Sequence, residues 1–214
     1  MNGDKNADMS ADNVTVDIID DDEAVRDSLA FLLMTSGFTV VSHPSPRSFL
    51  ETFDPQQCGC IVTDVRMPGM SGIELLKHLR DNDNRIPVIV ITGHGDIPLA
   101  VEAMKLGAID FIEKPFNESS IVRAVTAGMR QRQEQANRDQ ERQEIRARLD
   151  ELSGREREVL DGLVEGKPNK VIADDLGISP RTVEIYRANV MHKMRAASLS
   201  ELVRMALLVG QSIS

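Results

Sequence analysis

From residue 15 to residue 116 the chain keeps switching period. Short runs of β-branched and apolar residues fall at 15–19, 39–43, 60–63, 87–91 and 109–113. Stretches with apolar residues three and four apart lie between them at 24–36, 45–53, 72–80 and 98–106. Gly37, Gly59, Gly93, Gly95 and Gly107 mark the breaks. Strands alternating with helices predict βαβ units and a parallel sheet. Val88-Ile89-Val90-Ile91 is apolar at every position, as a strand covered on both faces should be. The expectation is a doubly wound α/β domain over 14–128, with five parallel strands in the order 2-1-3-4-5 and a fifth helix opening behind Asn117 as N-cap.

The pattern then changes twice. Residues 129–151 contain no Gly or Pro, many helix formers and almost no apolar stripe, which predicts a solvated helical linker. A coiled coil there lacks its a/d seam. From residue 152 the spacing predicts an all-α domain of four short helices ending with the chain at 214. Ser153-Gly-Arg-Glu156 and Ser198-Leu-Ser-Glu201 read as capping boxes, Asn169 as the cap of a second helix ending at Gly177, and Ser179-Pro180 as the start of a third. Leu176–Ser179 then forms the tight turn of a helix-turn-helix. Val183, Tyr186, Val190 and Met194 recur at helical spacing and should face inward, leaving Arg181, Glu184, Ile185 and Ala188 on an open face. On pattern alone a small protein-binding bundle stays open beside a DNA reader.

Composition narrows the classes. Aromatic residues make up 3% and there is no Trp, which argues against an aromatic-lined single-strand channel or a sugar-stacking cleft. No apolar run approaches the ~20 residues of a membrane span. Residues 1–13 carry three Asp and one Lys, without the basic and apolar regions of a signal peptide, and read as a disordered tail. Cys58 and Cys60 are too close to bridge and too few for zinc, so we expect reduced thiols in a cytoplasmic protein. The net charge of −9 is uneven: −10 over 1–128, zero over 129–151 and +1 over 152–214. The first part therefore suits a cation, and the last could bind DNA if its Lys and Arg share one face.

The candidate chemistry sits at strand ends. The first strand runs into Asp20-Asp21-Asp22, the third ends at Asp64, the fourth at Thr92 and the fifth at Glu113-Lys114-Pro115. In an open parallel sheet the carboxyl ends of the strands near the switch point form the site. Clustered carboxylates need a cation, and hard oxygen donors suit Mg²⁺, which favours a phosphate partner. Carboxylates, Mg²⁺, a hydroxyl and an ammonium together suit a phosphoryl group. A phosphatase of the haloacid dehalogenase type is a rival, because Asp20-Asp21-Asp22 mimics its Asp-x-Asp. The Thr or Val that should follow is absent, and no acidic pair ends the fourth strand. The four histidines, His43, His78, His94 and His192, show no ligand spacing.

Asp20-Asp21, Asp64, Thr92 and Lys114-Pro115 resemble the receiver domain of two-component response regulators. The loop from Asp64 to Gly72 and the stretch from Thr92 to Phe111 look most like the FixJ subfamily. The resemblance implies that Asp64 accepts a phosphoryl group from a sensor histidine kinase of the FixL kind. It implies that Asp20, Asp21, Asp64 and the backbone carbonyl of Arg66 hold Mg²⁺, that Thr92 and Lys114 read the phosphoryl oxygens across a cis Lys114-Pro115 bond, and that Phe111 is the switch aromatic, without the hydroxyl of the commoner Tyr. It further implies a homodimer on phosphorylation, formed through the segment 96–113. Residues 152–210 resemble the LuxR/NarL-type effector, which implies double-stranded DNA as partner, with RNA polymerase a further candidate. The recognition helix is expected over 180–195, with Glu184, Ile185 and Ala188 at base-reading places. Lys167, Lys170, Arg181, Arg187 and Lys193 are the phosphate candidates from charge and position, and Thr182 joins the DNA-contact set. A ligand-sensing LuxR regulator would need an aromatic-lined pocket, which the composition opposes.

Overall fold

A computed structural model describes residues 14–93 and 97–210, in two compact units divided between Gln135 and Ala136. The tail expected over 1–13, His94 and the last four residues lie outside the described residues. The first unit alternates strand and helix: β1 (Thr15–Ile19), α1 (Glu23–Thr35), β2 (Val40–His43), α2 (Pro46–Thr52), β3 (Cys58–Asp64), α3 (Gly72–Asp81), β4 (Val88–Thr92), α4 (Ile97–Lys105), β5 (Asp110–Glu113) and the start of α5 (Glu118–Asp150). The sheet is fully parallel in the order β2-β1-β3-β4-β5. Each face is covered by its own core. Ile19, Phe49, Ile61, Leu75, Leu76 and Val90 pack on one side; Val16, Ile18, Leu29, Leu33, Val62, Ile89 and Ile121 pack on the other. This is why the central strands are apolar throughout.

β3 begins two residues earlier than its apolar run suggests. Thr15 pairs with Cys58 and Val16 with Cys60, so Gly59 is the extra residue of a bulge. A Cβ at Gly59 would press on the side chains of Val14 and Met129, which would have to shift to admit it. The bulge sends Cys58 into one core and Cys60 into the other. Both are free, buried thiols.

The second unit contains the end of α5, then α6 (Gly154–Val164), α7 (Asn169–Leu176), α8 (Pro180–Met194) and α9 (Leu199–Leu208). Its core joins Val159, Leu160, Leu163, Ile172, Val183, Val190, Met194 and Leu202 with Ile145 and Leu149 of α5. One face of the last turns of the expected linker is therefore buried, because Ile145, Leu149 and Leu152 recur at helical spacing. Asn117 does cap α5, its Oδ1 accepting from the Ser119 N–H at 2.9 Å.

Two capping expectations change. Asn169 is the first residue inside α7, and the cap position belongs to Pro168, which offers no side-chain bond. Ser198 caps α9, but the returning Glu201 carboxylate accepts from Ala197 N–H instead of Ser198 N–H. The box at Ser153–Glu156 is complete, and Ser71–Glu74 forms another at α3.

Candidate functional site

Strand register assembles the first site. Ile19 lies beside Thr63, so the next residues, Asp20 and Asp64, leave the sheet on adjacent strands. Asp64 pairs with Ile91 and Thr92 with Glu113, so Thr92 and Lys114 emerge at the same edge. The Lys114 N–H donates to the Thr92 carbonyl at 2.7 Å, and the Lys114–Pro115 peptide is cis. Lys114 Nζ donates to Asp64 Oδ1 at 2.6 Å and to Asp20 Oδ2 at 2.9 Å. Burial alone would depress the Lys114 pKa. The bonds to Asp64 and Asp20 and their charges outweigh it and hold the ammonium above its ordinary value.

The remaining oxygens are also engaged. Asp64 Oδ2 accepts from Arg66 N–H at 2.6 Å, and Asp20 Oδ1 from Asp22 N–H at 2.9 Å. Arg26, which the sequence did not single out, donates to the Asp20 carbonyl at 2.8 Å. Asp22 caps α1 through Ala24 N–H and Val25 N–H. Gly72 opens α3 directly against Asp64, where a Cβ would run into the Asp64 carbonyl.

Asp20, Asp64 and Thr92 are buried, whereas Asp21 is exposed and borders a cleft with Val65, Arg66, Met67 and Leu99. Among the described residues no three acidic, histidine or cysteine side chains converge as a preformed metal cluster. The expected convergence of three carboxylates is thus two bridged by Lys114, with the third on the rim. Mg²⁺ needs only one or two carboxylates and keeps waters for the rest of its shell. The buried carboxylates of Asp20 and Asp64 are hard oxygen donors of the kind that such an ion takes. Phe111 is half-buried against the core on the α3 side of the sheet.

In the second unit α7 and α8 meet across a tight turn, with Gly177 in the left-handed region at φ 66°. Ser179 Oγ caps α8 through Thr182 N–H at 3.1 Å and pairs with the Thr182 hydroxyl. Val183, Val190 and Met194 are buried and Tyr186 packs beside them, while Arg181, Glu184, Ile185 and Ala188 face outward. Ile185 is 54% exposed, unusual for an isoleucine on a helix.

Several basic candidates are already partnered. Arg181 pairs with Glu184 at 3.1 Å, and Lys167 with Asp175 and Glu165. Arg187 donates to Asn169 Oδ1 at 3.3 Å, and Lys170 is exposed. Lys193 differs most from expectation. Its ammonium donates to Glu156 at 2.6 Å and to the Glu151 carbonyl at 3.1 Å, tying α8 to the start of α6. The bond from Lys193, followed by that from Ser153 N–H, holds the Glu156 carboxyl down at about 2. Lys193, a phosphate candidate by charge and position, is thus engaged within the fold in this structure.

Comparison with known proteins assigns both halves. Residues 16–126 match the response regulator receiver domain and residues 150–206 the luxR family of bacterial regulatory proteins. The chain is 60% identical to the transcriptional regulatory protein FixJ of Azorhizobium caulinodans over 93% of its length and 94% of that protein. It also resembles the solved response regulator StyR, at 42% identity and TM-score 0.81, covering 91% of this chain and 98% of that one. Full-length FixJ from B. japonicum matches at 49% identity and TM-score 0.56, over 93% and 98% of the two chains. Parallel sheet, acidic strand ends, helix-turn-helix and these relatives agree: the chain belongs to the FixJ-type two-component response regulators, in which a receiver domain is joined to a LuxR-type DNA-binding domain that regulates transcription.

Proposed function

We propose that Asp64 is the phosphoacceptor and that its phosphorylation switches this chain from a monomer to a DNA-binding homodimer. A receiver domain implies a histidine kinase as donor, and a LuxR-type domain implies DNA as target. The observation that carries the reading is the Lys114 ammonium bridging Asp20 and Asp64 beside Thr92. An Asp64 oxygen attacks the phosphorus of a phosphohistidine, the P–N bond breaks, and the imidazole leaves with its electron pair. Lys114 stays protonated and moves from the Asp64 carboxylate to an oxygen of the new phosphoryl group, and Thr92 donates its hydroxyl to another. Mg²⁺ held by Asp20, Asp21, Asp64 and the Arg66 carbonyl would offset the added charge, about −1.5 to −2.

Movement of Thr92 and Lys114 then reshapes the α4–β5 face. There Ile97, Val101 and Met104 are exposed at 75%, 48% and 50%, an apolar stripe suited to a second copy. On DNA, Glu184, Ile185 and Ala188 read bases: Glu184 accepts from cytosine N4 and Ile185 packs on a thymine methyl. Lys170, Arg187 and, once released from their acidic neighbours, Lys167 and Arg181 meet phosphates, and Thr182 lies alongside. With basic side chains so partnered, one effector should bind weakly and two tethered copies much more strongly at an inverted repeat. FixL-like specificity, contact with RNA polymerase and a cytoplasmic location belong to the same proposal.

The test is intact mass after acetyl phosphate and Mg²⁺, followed by sedimentation and operator titration. Wild type should gain one phosphate, dimerise and bind the operator more tightly, and Asp64→Asn should do none of these. A phosphate on Asp64→Asn, or equal DNA affinity in both states, would overturn the reading.

A further inference from the structure

Arg80, in the last turn of α3, takes no part in either site, yet its side chain is the most heavily bonded on that edge of the sheet. Its guanidinium is half-buried, and among the described residues no carboxylate pairs with it. Its donors go to main-chain carbonyls of two separate segments. Nη1 donates to Asn84 at 2.6 Å, just past α3, and to Ile86 at 3.2 Å, just before β4. Nη2 reaches Ile86 at 3.2 Å and Gly107 at 2.9 Å, while Nε reaches Leu106 at 3.3 Å. Leu106 and Gly107 directly follow α4. Carbonyls at helix C-termini lack intrahelical partners and carry partial negative charge. The carbonyls at the end of α4 and those of the α3–β4 loop therefore supply the compensation that a carboxylate would normally give.

The other end of α4 is tied to the site through chain connectivity, since β4 ends at Thr92 and α4 begins at Ile97. The helix is thus clamped at Leu106–Gly107 and linked to a candidate phosphoryl sensor at its start. A nine-residue helix is about 13 Å long, so a tilt of ~10° about its C-terminus moves its first residue ~2 Å and its last hardly at all.

We infer that Arg80 is a positioning residue that fixes the C-terminal end of α4, so that α4 answers a change at Asp64 by pivoting there rather than sliding as a body. The inference rests on the phosphorylation reading above and says how that signal is shaped. Ile97 moves most, Val101 less and Met104 least, so the exposed apolar stripe turns with little displacement at Arg80.

Amide-resolved hydrogen exchange on the full chain tests this, at concentrations where sedimentation shows monomer. With acetyl phosphate and Mg²⁺, wild-type exchange should change at least fivefold at Leu99–Val101 and less than twofold at Leu106–Ala108. In Arg80→Gln the change should spread through Ala108 while Asp64 still gains its phosphate by intact mass. Without any donor, Arg80→Gln should exchange at least tenfold faster at Leu106, Gly107 and Ala108, whose N–H groups bond to Glu102, Met104 and Ala103, with Val101 unchanged. Arg80→Lys should fall between, since one ammonium cannot span four carbonyls. A uniform response along wild-type α4, or unchanged exchange in Arg80→Gln, would overturn the pivot. A wild type that takes no phosphate would instead defeat the phosphorylation reading and with it the pivot, while the donor-free comparison would still decide whether Arg80 anchors the end of α4.

Discussion

Replacing Glu156 by glutamine removes one charge from a carboxyl group that is 4% exposed and bonded to Lys193 Nζ and Ser153 N–H. The carboxyl is held at about 2, against 4.5 for a free glutamate. At about 1.4 kcal/mol per pKa unit, that difference sets an upper limit of about 3 kcal/mol. Lys193 is 35% exposed, so solvent screens the pair and we expect about 2 kcal/mol. Because the folded pKa is depressed, the stabilisation is complete well above 4.5 and disappears as pH falls towards 2. Tyr186 is the only Tyr in a chain without Trp, and it packs in the helical core, so its fluorescence reports that unit alone. Urea unfolding followed at Tyr186 should show Glu156→Gln less stable by about 2 kcal/mol at pH 7, with the gap reduced by about half at pH 3.5. A gap below about 0.5 kcal/mol at pH 7, or one that ignores pH, would refute the reasoning.

Lys114→Met should leave Asp20 and Asp64 repelling each other; its melting temperature should fall without Mg²⁺ and rise more than that of wild type when Mg²⁺ is added, as read by calorimetry. Arg195 closes α8 in the left-handed region at φ 54°; Arg195→Gly should stabilise the helical unit by about 1 kcal/mol in the same Tyr186 assay. Burial, then the charge of Asp17, pushes the Cys58 thiol far up and the Cys60 thiol up to about 12; neither should react with iodoacetamide at pH 8 until urea unfolds the receiver, as mass spectrometry would show.

The strand ends were legible because their chemistry is local: each polar residue stands where an apolar run stops. The alternation made a parallel sheet legible, whereas its order rested on a common doubly wound arrangement. The bulge at Gly59 was not legible, since a glycine inside a strand looks like a break until Val14 and Met129 are seen against it. The bonding of Arg80, Arg26 and Lys193 escaped for a different reason. Their partners are carbonyls, or a carboxylate 37 residues away, and no side-chain pattern marks a carbonyl. Asp17 and His43 were missed likewise: they bond at 2.8 Å in the core across neighbouring strands, 26 positions apart. The outward face of α8 was legible because helical periodicity alone separates it from Val183, Val190 and Met194. The pairs that join different elements, Lys193 with Glu156 and Lys167 with Asp175, were not, because they depend on how the helices pack.

Burial of Ile145 and Leu149 bears on how this chain can be cut and rejoined. A fragment beginning at residue 152, where the luxR-like signature becomes obvious, would discard two side chains that are 2% and 6% exposed in its own core. Losing a buried Ile or Leu typically costs about 2–5 kcal/mol, much of what a domain of this size has in reserve. Chimeras that graft this DNA reader onto another sensor should therefore splice upstream of Glu144. The hybrid then inherits those two turns of α5 together with the domain they complete.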